Sequence, residues 1–127
     1  MKSQTSALII AKPGPLRDSL QVLLTAIPLM GTVWQAVDGP TALLAGARHS
    51  PGLVLLDDDL PGDRLLPTLE QIRAAWPHTR CIVLADDEQA HPPALDAGAD
   101  AILLKGLLAS KLFTTITELL CETRRKI

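Results

Sequence analysis

Five short apolar runs, each followed by a longer amphipathic stretch, limit what this chain can fold into more than any other feature. The runs are "ALIIA" (7–11), "TVWQAV" (32–37), "LVLLD" (53–57), "CIVLA" (81–85) and "AILLK" (101–105). Those at 53, 81 and 101 are apolar at nearly every position, as strands covered on both faces must be. "TVWQAV" is mixed and reads as an edge strand. Between the runs, Leu16, Leu20, Leu23, Leu24 and Ile27 recur at helical spacing behind Pro15, a favoured first helical residue. A second helix is expected from Thr41 to His49, where "SPG" ends it. A third carries Leu65, Leu66, Leu69, Ile72 and Trp76 and is stopped by Pro77. The last carries Leu112, Phe113, Ile116, Leu119 and Leu120, and its basic end, "RRK" at 124–126, suits a helix C-terminus. In "DDEQAHPPALDAGAD" the pair Pro92-Pro93 bars an earlier start and Ala97-Gly98 ends the turn. That leaves a fourth helix of one or two turns at most.

Strand and helix alternating five times imply parallel pairing through right-handed crossovers, with helices on both faces of the sheet. The expected fold is therefore a single-domain α/β, doubly wound (βα)5 structure over residues 1–127. A chain of 127 residues that is 47% hydrophobic can bury one real core. The formal net charge of -2 argues against a nucleic-acid surface, which needs a basic face. Aromatic residues are few (Trp34, Trp76, Phe113 and no tyrosine), so a base-stacking platform is not expected either. No apolar run approaches the roughly 20 residues that span a bilayer, and the start "MKSQTSALIIAKPGP" is a poor secretory signal. Cys81 and Cys121 lack CxxC spacing and lie in apolar segments. They read as reduced core thiols of a cytoplasmic protein.

In sheets of this kind the working site lies beyond the carboxyl ends of the strands. Asp57, Ala85 and Lys105 all stand at such ends. In "LVLLDDDLPGD" three carboxylates, Asp57, Asp58 and Asp59, crowd where the third strand meets water. Turn and helix-cap chemistry would account for individual aspartates there. Crowding three like charges points instead to a site for a cation or a phosphoryl group, and the position at a strand end favours that reading.

With "PGLVLLDDDLPG", "AVDGPTALLAGARHSPGLVLLD" and "AGADAILLKG" in this order and spacing, nearly the whole chain resembles the CheY-like receiver domain of bacterial response regulators. The resemblance implies a flavodoxin-like five-stranded parallel sheet in order 2-1-3-4-5. It places Asp57 at the phosphoacceptor position and Lys105 at the lysine that contacts the phosphoryl group. Lys105 followed by Gly106, rather than proline, is similar to the subfamily whose members carry a helix-turn-helix output domain, so two readings stay open: a receiver-like domain alone over 1–127, or the N-terminal part of a longer protein with a transcription-regulating output domain.

The same resemblance exposes departures. Phosphoryl transfer to a carboxylate needs a divalent cation, held by oxygen ligands. The family supplies these from an acidic pair after the first strand, the acceptor aspartate and a nearby carbonyl. Here the pair aligns with Ala11 and Lys12, and the first acidic residue in the chain is Asp18, inside the first helix. The switch hydroxyl aligns with Ala85 and the switch aromatic with Ile102. Magnesium binding is thus expected to be weak or absent, with no metal ligand set and no cofactor. Lys12 has two open placements: ion-paired with Asp57 in place of the cation, or directed into solvent. Asp58 and Asp59 complete the pocket and could bind a cation weakly. His49, His78 and His91 do not converge and read as surface residues.

Three functions are in competition. The first is an atypical receiver, not an enzyme, acting through protein partners: a histidine kinase, an output domain or another regulator. Self-association would use the face of the fourth helix, fifth strand and last helix. The second is a conventional phosphorelay receiver phosphorylated on Asp57. The third, a flavin or nucleotide binder on the same architecture, needs a glycine loop after the first strand, and "AKPGPL" offers prolines that remove amide donors.

Overall fold

A computed structural model describes residues 5–46, 50–60, 64–87 and 91–125, the side chains of 45, 91 and 121–125 excepted. Five strands, β1 (Thr5–Ile10), β2 (Met30–Ala36), β3 (Leu53–Asp57), β4 (Arg80–Ala85) and β5 (Ala101–Leu104), alternate with helices α1 (Pro15–Thr25), α2 (Gly39–Ala45), α3 (Leu65–Ala75), α4 (His91–Asp96) and α5 (Leu108–Arg125). A single 3-10 turn, Lys105–Leu107, joins β5 to α5. Every strand pair is parallel, and the order is β2-β1-β3-β4-β5. This is the expected architecture.

Side-chain alternation along the central strands sorts the core into two layers. Ala7 and Ile9, Leu53 and Leu55, and Ile82 and Leu84 face one way and meet Leu20 and Leu24 of α1 and Leu112 and Ile116 of α5. Leu8 and Ile10, Val54 and Leu56, and Cys81 and Val83 face the other way, against Leu69, Ile72 and Trp76 of α3 and Ala94 of α4. Both faces of β3 are therefore dry, and all five of its residues are buried. Only its last residue is charged.

The differences from the sequence expectation are local. β5 stands at the sheet edge that the expected order gives it, but it is less covered than its apolar run implied: Ala101, Ile102 and Leu104 are only partly buried. An edge strand lacks a neighbour on one side, so an apolar run there does not require full burial. α2 starts two residues early because Asp38 caps it, its carboxylate accepting the Thr41 N–H at 2.9 Å. Its described part ends at Ala45, and residues 47–49, with His49, lie outside the described residues. α4 begins one residue before Pro92 and has six residues. Two residues past its end stands Gly98, whose φ of +118° favours glycine and where a Cβ would come within 2.5 Å of Arg73 Cγ. Cys81 is a buried free thiol, while the Cys121 side chain lies outside the described residues, as do those of the basic end of α5.

Candidate functional site

The register sets the site. Asp57 pairs with Leu84, and Ala85 pairs with Leu104, so Asp57 and Ala85, which finish their strands, and Lys105, the residue after β5, stand at one edge of the sheet. β3 lies between β1 and β4, so Asp57 ends a strand with neighbours on both sides and is itself buried. A lone carboxylate in that position would be costly, and it is answered by a cation and a backbone donor. Lys105 Nζ stands 2.7 Å from Asp57 Oδ1, and the Asp59 N–H donates to the same oxygen at 3.1 Å.

The ammonium of Lys105 is shared. It lies 3.0 Å from Asp58 Oδ1 and 3.5 Å from Asp86 Oδ1. Asp58 is tied to the end of β4, its N–H donating to the Leu84 carbonyl at 2.9 Å and its Oδ2 accepting the Asp86 N–H at 3.3 Å. Burial alone would discourage the Lys105 charge, but hydrogen bonds and attraction from Asp57 and Asp58 outweigh it and raise the lysine well above its ordinary pKa. One cation thus holds three carboxylates.

Lys12 does not take the Asp57 partner that was one of its two open placements. Its Nζ bonds Asp59 Oδ2 at 2.8 Å in an exposed pair, leaving Asp57 to Lys105. That hydrogen bond raises the Lys12 pKa and lowers that of Asp59. Ala11, at the other position of the expected acidic pair, is a buried methyl among core residues. Ala85 is fully buried and offers no hydroxyl, and Ile102 packs partly against the layer under α3 and α4. Of the histidines, His78 is exposed.

Sequence reasoning missed Asp86, although "ADDE" puts it at a strand end by the same logic that singled out Asp57. It also missed an ion network at the opposite end of the sheet. There Asp100 accepts from Arg73 at 2.8 Å, Arg80 at 3.2 Å and the Cys81 N–H at 2.7 Å.

The comparisons place the chain in a family. Residues 8–117 match the response regulator receiver domain family, and the chain belongs to that family, whose members work in two-component signalling. The nitrate/nitrite response regulator protein NarL of Escherichia coli is 30% identical over 102 residues, covering 79% of this chain and 47% of that protein. The chain thus spans about half the length of this curated relative. The CheY-like receiver domain protein of Methanospirillum hungatei superposes with a TM-score of 0.86 at 24% identity, over 98% of this chain and all (100%) of that one. A LuxR-family response regulator of Aurantimonas gives 0.84 at 20% identity, over 94% of this chain and 87% of that one. At such identities the two structures share the fold. Among the described residues no helix is long and apolar enough to cross a membrane.

Proposed function

We propose that this chain is an atypical receiver that signals through protein contacts without magnesium-dependent phosphorylation of Asp57. The observation that carries the reading is the charge arrangement at the carboxyl edge. A hard dication needs several oxygen ligands. Where the family's acidic pair is expected, this chain has the methyl of Ala11 and the ammonium of Lys12, the latter paired with Asp59. The Asp57 carboxylate is already neutralised by Lys105. These residues do not fit a magnesium site, so no step through the metal is derived.

In this reading Asp57 and Lys105 are a permanent ion pair that fixes the loop after β3. The partner face is that of α4, β5 and α5, where Leu95 is exposed and Ile102 and Leu104 are partly so. A histidine kinase, another regulator, a second copy or an output domain would dock there, the last in a longer cytoplasmic protein of the NarL kind. Ala85 and Ile102 have neither the hydroxyl nor the aromatic ring that would report a phosphoryl group to that face.

One observation favours the conventional phosphorelay reading: Asp57 and Lys105 stand in contact at the edge where the chemistry would occur. Incubation with acetyl phosphate and Mg²⁺, read by intact mass, separates the two. The atypical reading expects no gain of a phosphoryl group. A gain that disappears in Asp57→Asn would overturn it.

A further inference from the structure

A second feature at the same edge of the sheet has no part in the Asp57 cluster. Between the loops that follow β1, β2 and β3 lies a cleft of about 430 Å³, within the range typical of small-molecule sites. Its place is favourable, because β1 and β3 flank the point where strand order reverses, where ligands of doubly wound sheets bind. Val37, Pro40, Leu60 and Pro67 give it apolar walls, and Lys12 and Arg64 bring two cations to its lining.

Three details turn this from a dent into a built site. Thr68 lines the cleft and is only 3% exposed, yet its hydroxyl has no hydrogen-bond partner among the described residues. Opening on the cleft, that hydroxyl is placed to donate to something that enters. Arg64 likewise forms no ion pair with a described residue. Asp38, the acid in the lining, is committed elsewhere: it caps α2 through the Thr41 N–H, and that bond holds its carboxyl below the usual range with help from the Arg64 charge. Among the described residues the cleft therefore presents a guanidinium outside any ion pair, one ammonium on the rim and one hydroxyl over an apolar floor.

We infer that this cleft binds a small organic anion, a carboxylate or phosphate monoester carried on an apolar or aromatic body. Arg64 takes the anionic head, for which its planar fork is suited. Thr68 supplies a hydroxyl donor, and the proline and leucine walls cover the body. Lys12 links the cleft to the acidic cluster. Its ammonium bonds Asp59, whose own N–H bonds Asp57, so an anion that draws on Lys12 loosens Asp59 and is felt at the tip of β3. The inference does not rest on the phosphorylation reading, because no phosphoryl donor enters it.

The test is an amide-shift titration of the purified chain with phenyl phosphate and with benzoate, benzyl alcohol serving as the uncharged control. Saturable shifts are expected at Val37, Leu60, Thr68 and, through Lys12, Asp59, with little response to benzyl alcohol. The tighter of the two anions identifies the head group. Arg64→Gln, a change at an exposed position, should weaken binding about tenfold, the loss implied by one charge-assisted hydrogen bond. Thr68→Val, close in shape, should weaken it less while leaving the spectrum outside the cleft unchanged. Shifts that never saturate, that persist undiminished in Arg64→Gln, or that benzyl alcohol reproduces would overturn the inference.

Discussion

Two ion pairs at the carboxyl edge of the sheet have nearly the same length and opposite physics. Lys105 and Asp57 meet at 2.7 Å with side-chain exposures of 20% and 4%, whereas Lys12 and Asp59 meet at 2.8 Å with 61% and 59%. Distance does not distinguish them. Solvent does: the exposed pair is screened by water and salt, while the buried carboxylate has few partners other than Lys105 and the Asp59 N–H. The lesson is that Lys105 is structural in the strict sense, because removing it strands a buried charge. Lys12 can be borrowed by another anion at little cost to the fold.

The largest expected effect therefore belongs to Lys105→Ala. It leaves Asp57 buried without its cation and should lower unfolding free energy by about 3 kcal/mol, the low end for breaking a buried pair from one side. Denaturant melts would measure it. Asp57→Asn should cost less, about 1.5 kcal/mol, because the lysine keeps Asp58 and Asp86 and only a charge-assisted bond is lost. A loss in Asp57→Asn as large as in Lys105→Ala would break the comparison, since it would mean that the pair, rather than the stranded carboxylate, sets the energy.

A pH experiment sharpens the same contrast. The folded-state pKa of Lys105 is raised, so its contribution is complete below the ordinary lysine value of 10.5 and is lost as pH rises through the folded value. The Cys81 thiol, pushed up to about 11 by burial, adds an alkaline loss of its own above its ordinary 9.0, because the unfolded thiol ionises first. Cys81 is present in both chains, so the stability difference between wild type and Lys105→Ala isolates the lysine. That difference should stay flat through neutral pH and shrink only in strong alkali. The smallest effect is expected from Lys12→Ala, whose melting curve should overlay the wild type at moderate salt.

Much of this was legible in the residues. Apolar runs separated by helical spacing gave the strands because both faces of β3 and β4 are dry, and a dry strand has no choice but to be apolar throughout. The same logic overstated the burial of β5, since an apolar run does not say how fully an edge strand is covered. Asp57 and Lys105 were legible through their strand-end positions and the family resemblance. Their proximity came only with the resemblance, because a lysine after β5 reaches the end of β3 through the sheet order, which no local pattern encodes. Lys12 was placed in the right loop, and its choice of Asp59 over Asp57 follows from Lys105 already holding the buried carboxylate. Arg64 and Thr68 carried no sequence signal, as their meaning comes from a cleft that three separate loops build.

The account's central claim is that cations of the protein itself occupy the place of a metal. Isothermal titration of the purified chain with Mg²⁺, beside an Ala11→Asp/Lys12→Asp chain that restores two acids after β1, tests it most directly. The account predicts no saturable heat in the wild type and a saturable one in the double variant. Tight, stoichiometric binding by the wild-type chain, abolished by Asp57→Asn, would contradict it.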